Sequence, residues 1–125
     1  MKKAVLSIDV EDWYHLEYFK DNLNDKSQSI LEEGTNEFIN IISKENIKAT
    51  FFIVGELISS KLELLKKIIN QDHEISGHSF NHVRPLTQSV EEFKLDSTKL
   101  LVELKENLNI INPGYRAPCF SLDDE

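Results

Sequence analysis

The sequence predicts an α/β protein built on a parallel sheet or barrel. Three observations carry this reading. Short apolar runs alternate with amphipathic stretches in the order β-α-β-α-β-α-β, and that alternation implies right-handed parallel crossovers. The strand-like runs are rich in β-branched and aromatic residues and stop at acids or glycine. The length, 125 residues, fits one domain, which at this size buries roughly two-thirds of its unfolded surface without a staple.

Taken in order, Ala4-Val5-Leu6-Ser7-Ile8 reads as a short buried strand running into Asp9, Glu11 and Asp12. Continuous apolar runs of this kind suit a sheet covered on both faces. Trp13 to Lys26 is polar and aromatic without a period and is expected to be loop. From Ser29 to Glu45, Ile30, Leu31, Phe38, Ile41 and Ile42 recur at helical spacing, which Gly34 weakens. Lys48 to Val54 is a second strand, ended by Gly55. Leu57, Ile58, Leu62, Leu65, Ile68 and Ile69 mark a second helix, closed by turn chemistry at Asn70-Gln71-Asp72. His73 to Gly77 is a third strand and His78 to Pro85 a loop. Ser89 with Glu92 is a capping box that opens a third helix through about Leu108. Its stripe draws on Val90, Phe93, Leu100, Leu101 and Leu104. Pro113-Gly114 then leads into a fourth strand around Tyr115-Arg116-Ala117-Pro118.

Hydrophobic residues make up 40% and charged residues 29%, the profile of a globular chain. Fourteen Lys+Arg against 22 Asp+Glu give a net charge of -8. Such a field repels phosphate, so nucleic acid and anionic membrane surfaces are poor partners. The single cysteine, Cys119, excludes an intramolecular disulfide framework and reads as a small buried hydrophobe. No apolar run is long enough for a signal peptide or a bilayer span, so a cytoplasmic location is expected.

Functional groups of α/β folds collect at the carboxyl ends of the strands. Here the first strand ends in Asp9-Val10-Glu11-Asp12, the third in Gly77-His78-Ser79-Phe80-Asn81-His82, and the fourth in Arg116-Ala117-Pro118. Acids, a histidine pair and an arginine therefore share one rim. Two imidazoles four residues apart can reach one cation. A carboxylate completes a two-His, one-carboxylate set with positions open for water and substrate. Asp9, deepest at the strand end, is assigned as general base. Glu11 shares its side-chain direction in an extended period of two and is preferred to Asp12 as the third ligand, with Asp12 left for a cap or a supporting contact. Arg116 is a fixed positive charge that can orient Asp9.

Three motifs in order, Lys48-Ala-Thr-Phe-Phe-Ile-Val-Gly55, Gly77-His-Ser-Phe-Asn-His82 and Gly114-Tyr-Arg-Ala-Pro118, follow the acidic strand end. Together they resemble the polysaccharide deacetylase family, the NodB-like or family-four carbohydrate esterases, in a branch whose first motif is Asp-Val-Glu-Asp. The resemblance implies that residues 1–125 are the N-terminal part of a distorted (β/α)7 barrel, about four parallel strands and three helices. It implies metal-dependent removal of N-acetyl or O-acetyl groups from a polysaccharide. It implies Asp9 as base with Arg116 positioning it, Glu11, His78 and His82 on a divalent ion (zinc, or cobalt, nickel or iron), and Trp13, Pro118 and Phe120 at the substrate. The family's usual first motif has adjacent acids, whereas here they are spaced by two, and Cys119 stands where an aromatic residue is common. The late histidine that acts as general acid has no counterpart after Arg116, so a fragment is expected, with little activity on its own. The alternatives are an allantoinase-like cyclic amidase of the same fold, a non-catalytic remnant that self-associates through an open barrel edge and apolar face, and a two-His, one-carboxylate iron oxygenase.

Overall fold

The computed structural model describes residues 3–22 and 29–122. Its main elements are β1 (Ser7–Val10), α1 (Leu31–Lys44), β2 (Thr50–Ile53), α2 (Leu62–Asn70), β3 (Glu74–Gly77) and α3 (Val90–Leu108). The strands form one parallel sheet in the order β1-β2-β3. The expected fourth strand is reduced to a single parallel bridge between Gly77 and Tyr115. Two backbone bonds hold it: Gly77 N to Gly114 O, and Arg116 N to Gly77 O, both 2.9 Å. Pro113 before the bridge and Pro118 after it offer no N–H with which to extend a ladder.

Register sorts the side chains. Ile8, Phe51 and Ile75 align on one face, with Val10, Ile53 and Gly77 one step on. That face packs against Ile39 and Ile42 of α1, Leu64, Leu65 and Ile68 of α2, and Leu100 and Leu104 of α3. The opposite face carries Ser7, Asp9, Thr50, Phe52, Glu74 and Ser76. Helices therefore cover one face only, as in a sector of a barrel, and the uncovered face is largely polar rather than the apolar surface expected. Thr50 Oγ1 donates to Glu74 Oε2 at 2.5 Å, and Ser76 Oγ accepts from Gly114 N at 3.1 Å on that side. Among the described residues no helix is long and apolar enough to cross a membrane.

The third helix starts where its capping box places it, with Glu92 N donating to Ser89 Oγ and Ser89 N to Glu92 Oε2. Each helix stops in the same way: Asn46, Asp72 and Asn109 follow the three helices with φ of 51°, 59° and 57°. Asn and Asp tolerate the left-handed region better than other non-glycine residues, because their short polar side chains bond locally. In α1 the buried stripe is Thr35, Ile39 and Ile42, while Ile30 and Ile41 face solvent. Gly34 sits exposed at the end of the first turn of this helix with nothing within 4 Å of where a Cβ would be. Gly34→Ala is accordingly expected to raise stability by about 0.5–1 kcal/mol, because it removes backbone freedom from the unfolded chain. Urea denaturation checks this; an unchanged or lower midpoint contradicts it.

At the opposite end of the sheet from the acids, His73 is buried against Phe51, with ring centroids 5.3 Å apart. Its Nδ1 accepts from Ala49 N at 3.3 Å, and its buried Nε2 has no hydrogen-bond partner among the described residues. Burial, helped by Lys48 and opposed by Asp72, holds this imidazole below its usual pKa of 6.5. The folded state thus resists a proton that the unfolded chain accepts. Stability is fully present above pH 6.5 and is lost as pH falls from there through the depressed value. The melting temperature should fall with acidification below pH 6.5, and His73→Gln should flatten that fall. A slope identical in both proteins excludes His73 as the cause.

Candidate active site

The residues beyond β1 do not run as plain loop. Two residues beyond the strand, Asp12 caps a 3-10 turn, Trp13–His15, and a second turn follows at Glu17–Asn22. Asp12 Oδ1 accepts from Trp13 N at 2.9 Å, while His15 Nδ1 accepts from Asp12 N at 2.7 Å. His15 Nε2 is then the protonated nitrogen and meets Glu56 Oε1 at 2.7 Å. This reciprocal cap engages one carboxylate oxygen of Asp12, and beyond it the His15 carbonyl reaches His82.

The histidine loop is fixed from several sides. Ser79 and His82 both have positive φ, 63° and 54°. Such residues persist where surrounding contacts over-determine them. Gly55 N donates to Ser79 O at 2.9 Å and Glu56 N to Phe80 O at 3.0 Å. A Cβ on Gly55 would lie 2.8 Å from Phe80 Cα, so only glycine lets the end of β2 approach this loop. On the other side the Asp96 carboxylate accepts from Phe80 N at 2.8 Å and Asn81 N at 3.2 Å.

The two imidazoles are oriented by backbone carbonyls. A carbonyl can only accept, so His78 Nδ1–H donates to Arg116 O at 2.8 Å and His82 Nδ1–H donates to His15 O at 3.0 Å. Each Nε2 is thereby left to point into the rim. Ligand atoms of Glu11, His78 and His82 lie within 4.8 Å of one another. His78 and His82 are 1% and 2% exposed, so water does not satisfy these nitrogens freely. Burial pushes the His78 imidazole below its ordinary pKa, against the Arg116 carbonyl and Asp9, which favours the neutral form a ligand needs. Burial pushes the Glu11 carboxyl up, but the contact with His82 and the charges of the surrounding imidazoles prevail and hold it below the usual range.

Glu11 Oε2 tests the fit of a cation. It lies 2.5 Å from His82 Nε2, yet it is buried with no aligned hydrogen-bond donor among the described residues. Two imidazole nitrogens and one carboxylate oxygen converging within 4.8 Å form a donor set that fits a divalent ion.

Asp9 stands beside this cluster. Arg116 Nη1 donates to its Oδ1 at 2.6 Å, and Arg116 Nη2 donates to Ser7 Oγ at 2.6 Å. Asp9 Oδ2 faces His78 Nε2 at 3.8 Å, beyond hydrogen-bond reach. The Arg116 guanidinium lies 4.0 Å from the Phe52 ring centre and 5.5 Å from that of Phe120. A cleft of about 440 Å³ is lined here by Phe52, Tyr115, Arg116, Ala117, Phe120 and Leu122. Of the three residues expected at the substrate, Phe120 lines this cleft and is 76% exposed. Pro118 is buried, and Trp13 packs edge-on to Tyr14 and Phe19 outside the lining. Cys119 is exposed, with φ of 56°, because the backbone turns left-handed there instead of burying the thiol.

Sequence reasoning missed three residues that shape the site. His15 and Glu56 are signalled only through the Asp12-x-x-His15 spacing of a cap. Asp96 is signalled by a charge standing where the α3 stripe of Phe93, Leu100 and Leu104 calls for an apolar residue.

Comparison with known proteins follows the same lines. Residues 19–125 match the polysaccharide deacetylase family, a segment that holds His78, His82 and Arg116 and begins after Asp9 and Glu11. Chitin deacetylase 1 of Cryptococcus neoformans is 30% identical over 97 residues, covering 74% of this chain and 21% of its own. The peptidoglycan-N-acetylglucosamine deacetylase of Bacillus cereus is 30% identical over 88 residues, covering 70% and 30%. The chain thus spans less than a third of the length of either of these relatives. Among solved structures, BA3943 of Bacillus anthracis, described as a family-four pseudoenzyme, superposes with a TM-score of 0.75 at 23% identity. That superposition takes in 96% of this chain and 36% of the other. Fold, motifs and this match agree, and the chain belongs to the polysaccharide deacetylase family.

Proposed function

We propose that residues 1–125 are the metal-holding and proton-accepting part of a deacetylase domain that hydrolyses acetamido groups on an N-acetylated sugar polymer. The observation that carries this reading is the convergence of Glu11, His78 and His82, ligand atoms within 4.8 Å of one another, with both imidazole Nδ1 atoms already committed. Glu11, His78 and His82 would hold the ion, and two imidazoles with one carboxylate suit zinc, with cobalt, nickel or iron as other occupants of such a donor set. A divalent ion there supplies Lewis acidity toward a carbonyl oxygen and acidifies water. The remaining work belongs to side chains. Asp9 takes the proton of the attacking water on Oδ2, because Arg116 occupies Oδ1. Arg116 lies over the Phe52 ring and near that of Phe120 and is tied to Ser7, so its charge stays on Asp9. Phe120 offers an exposed apolar face on which a sugar ring can pack, beside the cleft. The named relatives act on chitin and on peptidoglycan N-acetylglucosamine, which supports this class of polymer as substrate.

An amine leaving group must be protonated to depart, and Asp9 takes a proton in this scheme rather than giving one. A phenolate leaves without that help. The chain is therefore expected to hydrolyse an aryl acetate when zinc is added, while releasing far less acetate from N-acetylchitooligosaccharides. Zinc-independent ester hydrolysis, or none at all with zinc bound, overturns the catalytic assignment; the second outcome favours a binding role.

A further inference from the structure

We infer that Asp96 is a positioning residue for the metal site, clamping the turn between the two histidines from outside. The inference rests on the metal reading above. Asp96 lies on α3, away from the three candidate ligands in sequence, and is 5% exposed. A carboxylate is seldom buried to that degree without strong partners. Its partners are backbone: Oδ2 receives Phe80 N at 2.8 Å and Oδ1 receives Asn81 N at 3.2 Å. Those amides belong to two of the three residues between His78 and His82.

The geometry explains why a charge is used there. With Ser79 and His82 both in the left-handed region, the turn curls tightly and its central amides point outward, away from the site. Ser79 O and Phe80 O are engaged by Gly55 N and Glu56 N, and Phe80 N and Asn81 N find their acceptor in the Asp96 carboxylate. A charged acceptor bonds two N–H groups more strongly than a neutral one. Ser79 Oγ, accepting from Val83 N at 3.0 Å, closes the other half of the turn. Loosening the central clamp lets His82 slide relative to His78, while each imidazole keeps its own carbonyl partner. Asp96 thus sets the separation of the pair rather than the tautomer of either ring.

The test is zinc affinity of the 125-residue chain, measured by competition with a chromogenic chelator, alongside the metal-free melting temperature. Asp96→Ala is expected to weaken zinc binding about 10–100-fold, as loss of an outer hydrogen-bond partner does at other metal sites. Asp96→Asn keeps one oxygen but turns an amino group toward the second N–H, and should weaken binding by a lesser factor. Should circular dichroism show the alanine variant unfolded, the asparagine variant decides between the outcomes. Leu104→Ala, a cavity in the same helix where Leu104 is fully buried, should lower the melting temperature and leave zinc affinity unchanged. Unchanged affinity in a folded Asp96 variant overturns the inference, as does an equal loss of affinity in Leu104→Ala. Wild-type protein that fails to bind zinc defeats the underlying metal reading instead, and shows it without any variant.

Discussion

His78→Ala is expected to remove zinc binding from this chain, with an affinity loss well beyond the about 10–100-fold that outer partners contribute. In the proposed site three side chains supply the donor set, so one deletion leaves two. The loss is not repaired locally. His78 is 1% exposed and its Nδ1 is fixed on the Arg116 carbonyl, so its Nε2 is held toward the rim and the position it leaves is not open to bulk water. The nearest acid, Asp9, has one oxygen held by Arg116 at 2.6 Å. Thermal denaturation reads the effect without any activity assay. A ligand that binds only the folded state stabilises it by roughly 2.7 kcal/mol at a hundred times its dissociation constant. Zinc should therefore raise the melting temperature of the wild-type chain and leave that of His78→Ala where it was. The same rise in both proteins, at equal free zinc, would place the ion elsewhere. Acid should mimic the substitution, because protonated imidazole cannot ligate. Burial keeps the metal-free His78 neutral to below pH 6.5, so zinc binding should hold down to that region and fail beneath it.

What can be read from the sequence is what local chemistry decides. The α3 boundaries follow from Ser89 and Glu92, whose cap closes within one turn. The three strands follow from short β-branched runs, and the shared rim of Asp9, Glu11, His78, His82 and Arg116 follows from parallel topology alone. What stays hidden depends on distant partners. The 3-10 turn at Trp13–His15 is steadied by Glu56, 41 residues from His15, and nothing in the polar stretch itself encodes that bond. The one-sided covering of the sheet is masked by Ala4 and Val5, which extend the apolar run before the strand begins; within β1 itself Ser7 and Asp9 alternate with Ile8 and Val10. Ile39 and Ile41 are alike in composition and differ only in angle around α1: Ile39 is fully buried and Ile41 is 54% exposed. For Cys119 residue type suggests burial, whereas two consecutive left-handed residues, Cys119 and Phe120, carry the chain outward. That same turn brings Phe120 over Arg116, so the unexpected exposure and the candidate substrate wall have one cause.

Asp9→Asn is the sharper probe of chemistry, since it spares the donor set. Asparagine keeps the size of the side chain, and its carbonyl oxygen can still accept from Arg116 Nη1. The substituted amide nitrogen then occupies the place of Oδ2, facing His78, and cannot take a proton from water. A positioned general base contributes about 10²–10⁴-fold to rate. Zinc-dependent aryl acetate hydrolysis should fall by that order, while zinc affinity stays near the wild-type value. The pair of measurements separates two roles that proximity alone would confuse, because Asp9 Oδ2 lies only 3.8 Å from His78 Nε2. If Asp9 ligates the ion, affinity and rate fall together; if it accepts the proton, rate falls alone. Arg116→Lys adds the complementary case. The backbone carbonyl that orients His78 is retained, but a lysine cannot bridge Asp9 Oδ1 and Ser7 Oγ with two nitrogens of one rigid plane. Its rate should lie between those of wild type and Asp9→Asn at unchanged zinc affinity. An Asp9→Asn protein with wild-type turnover removes the base from Asp9, and with it the reason for a guanidinium held over one aromatic ring and near another.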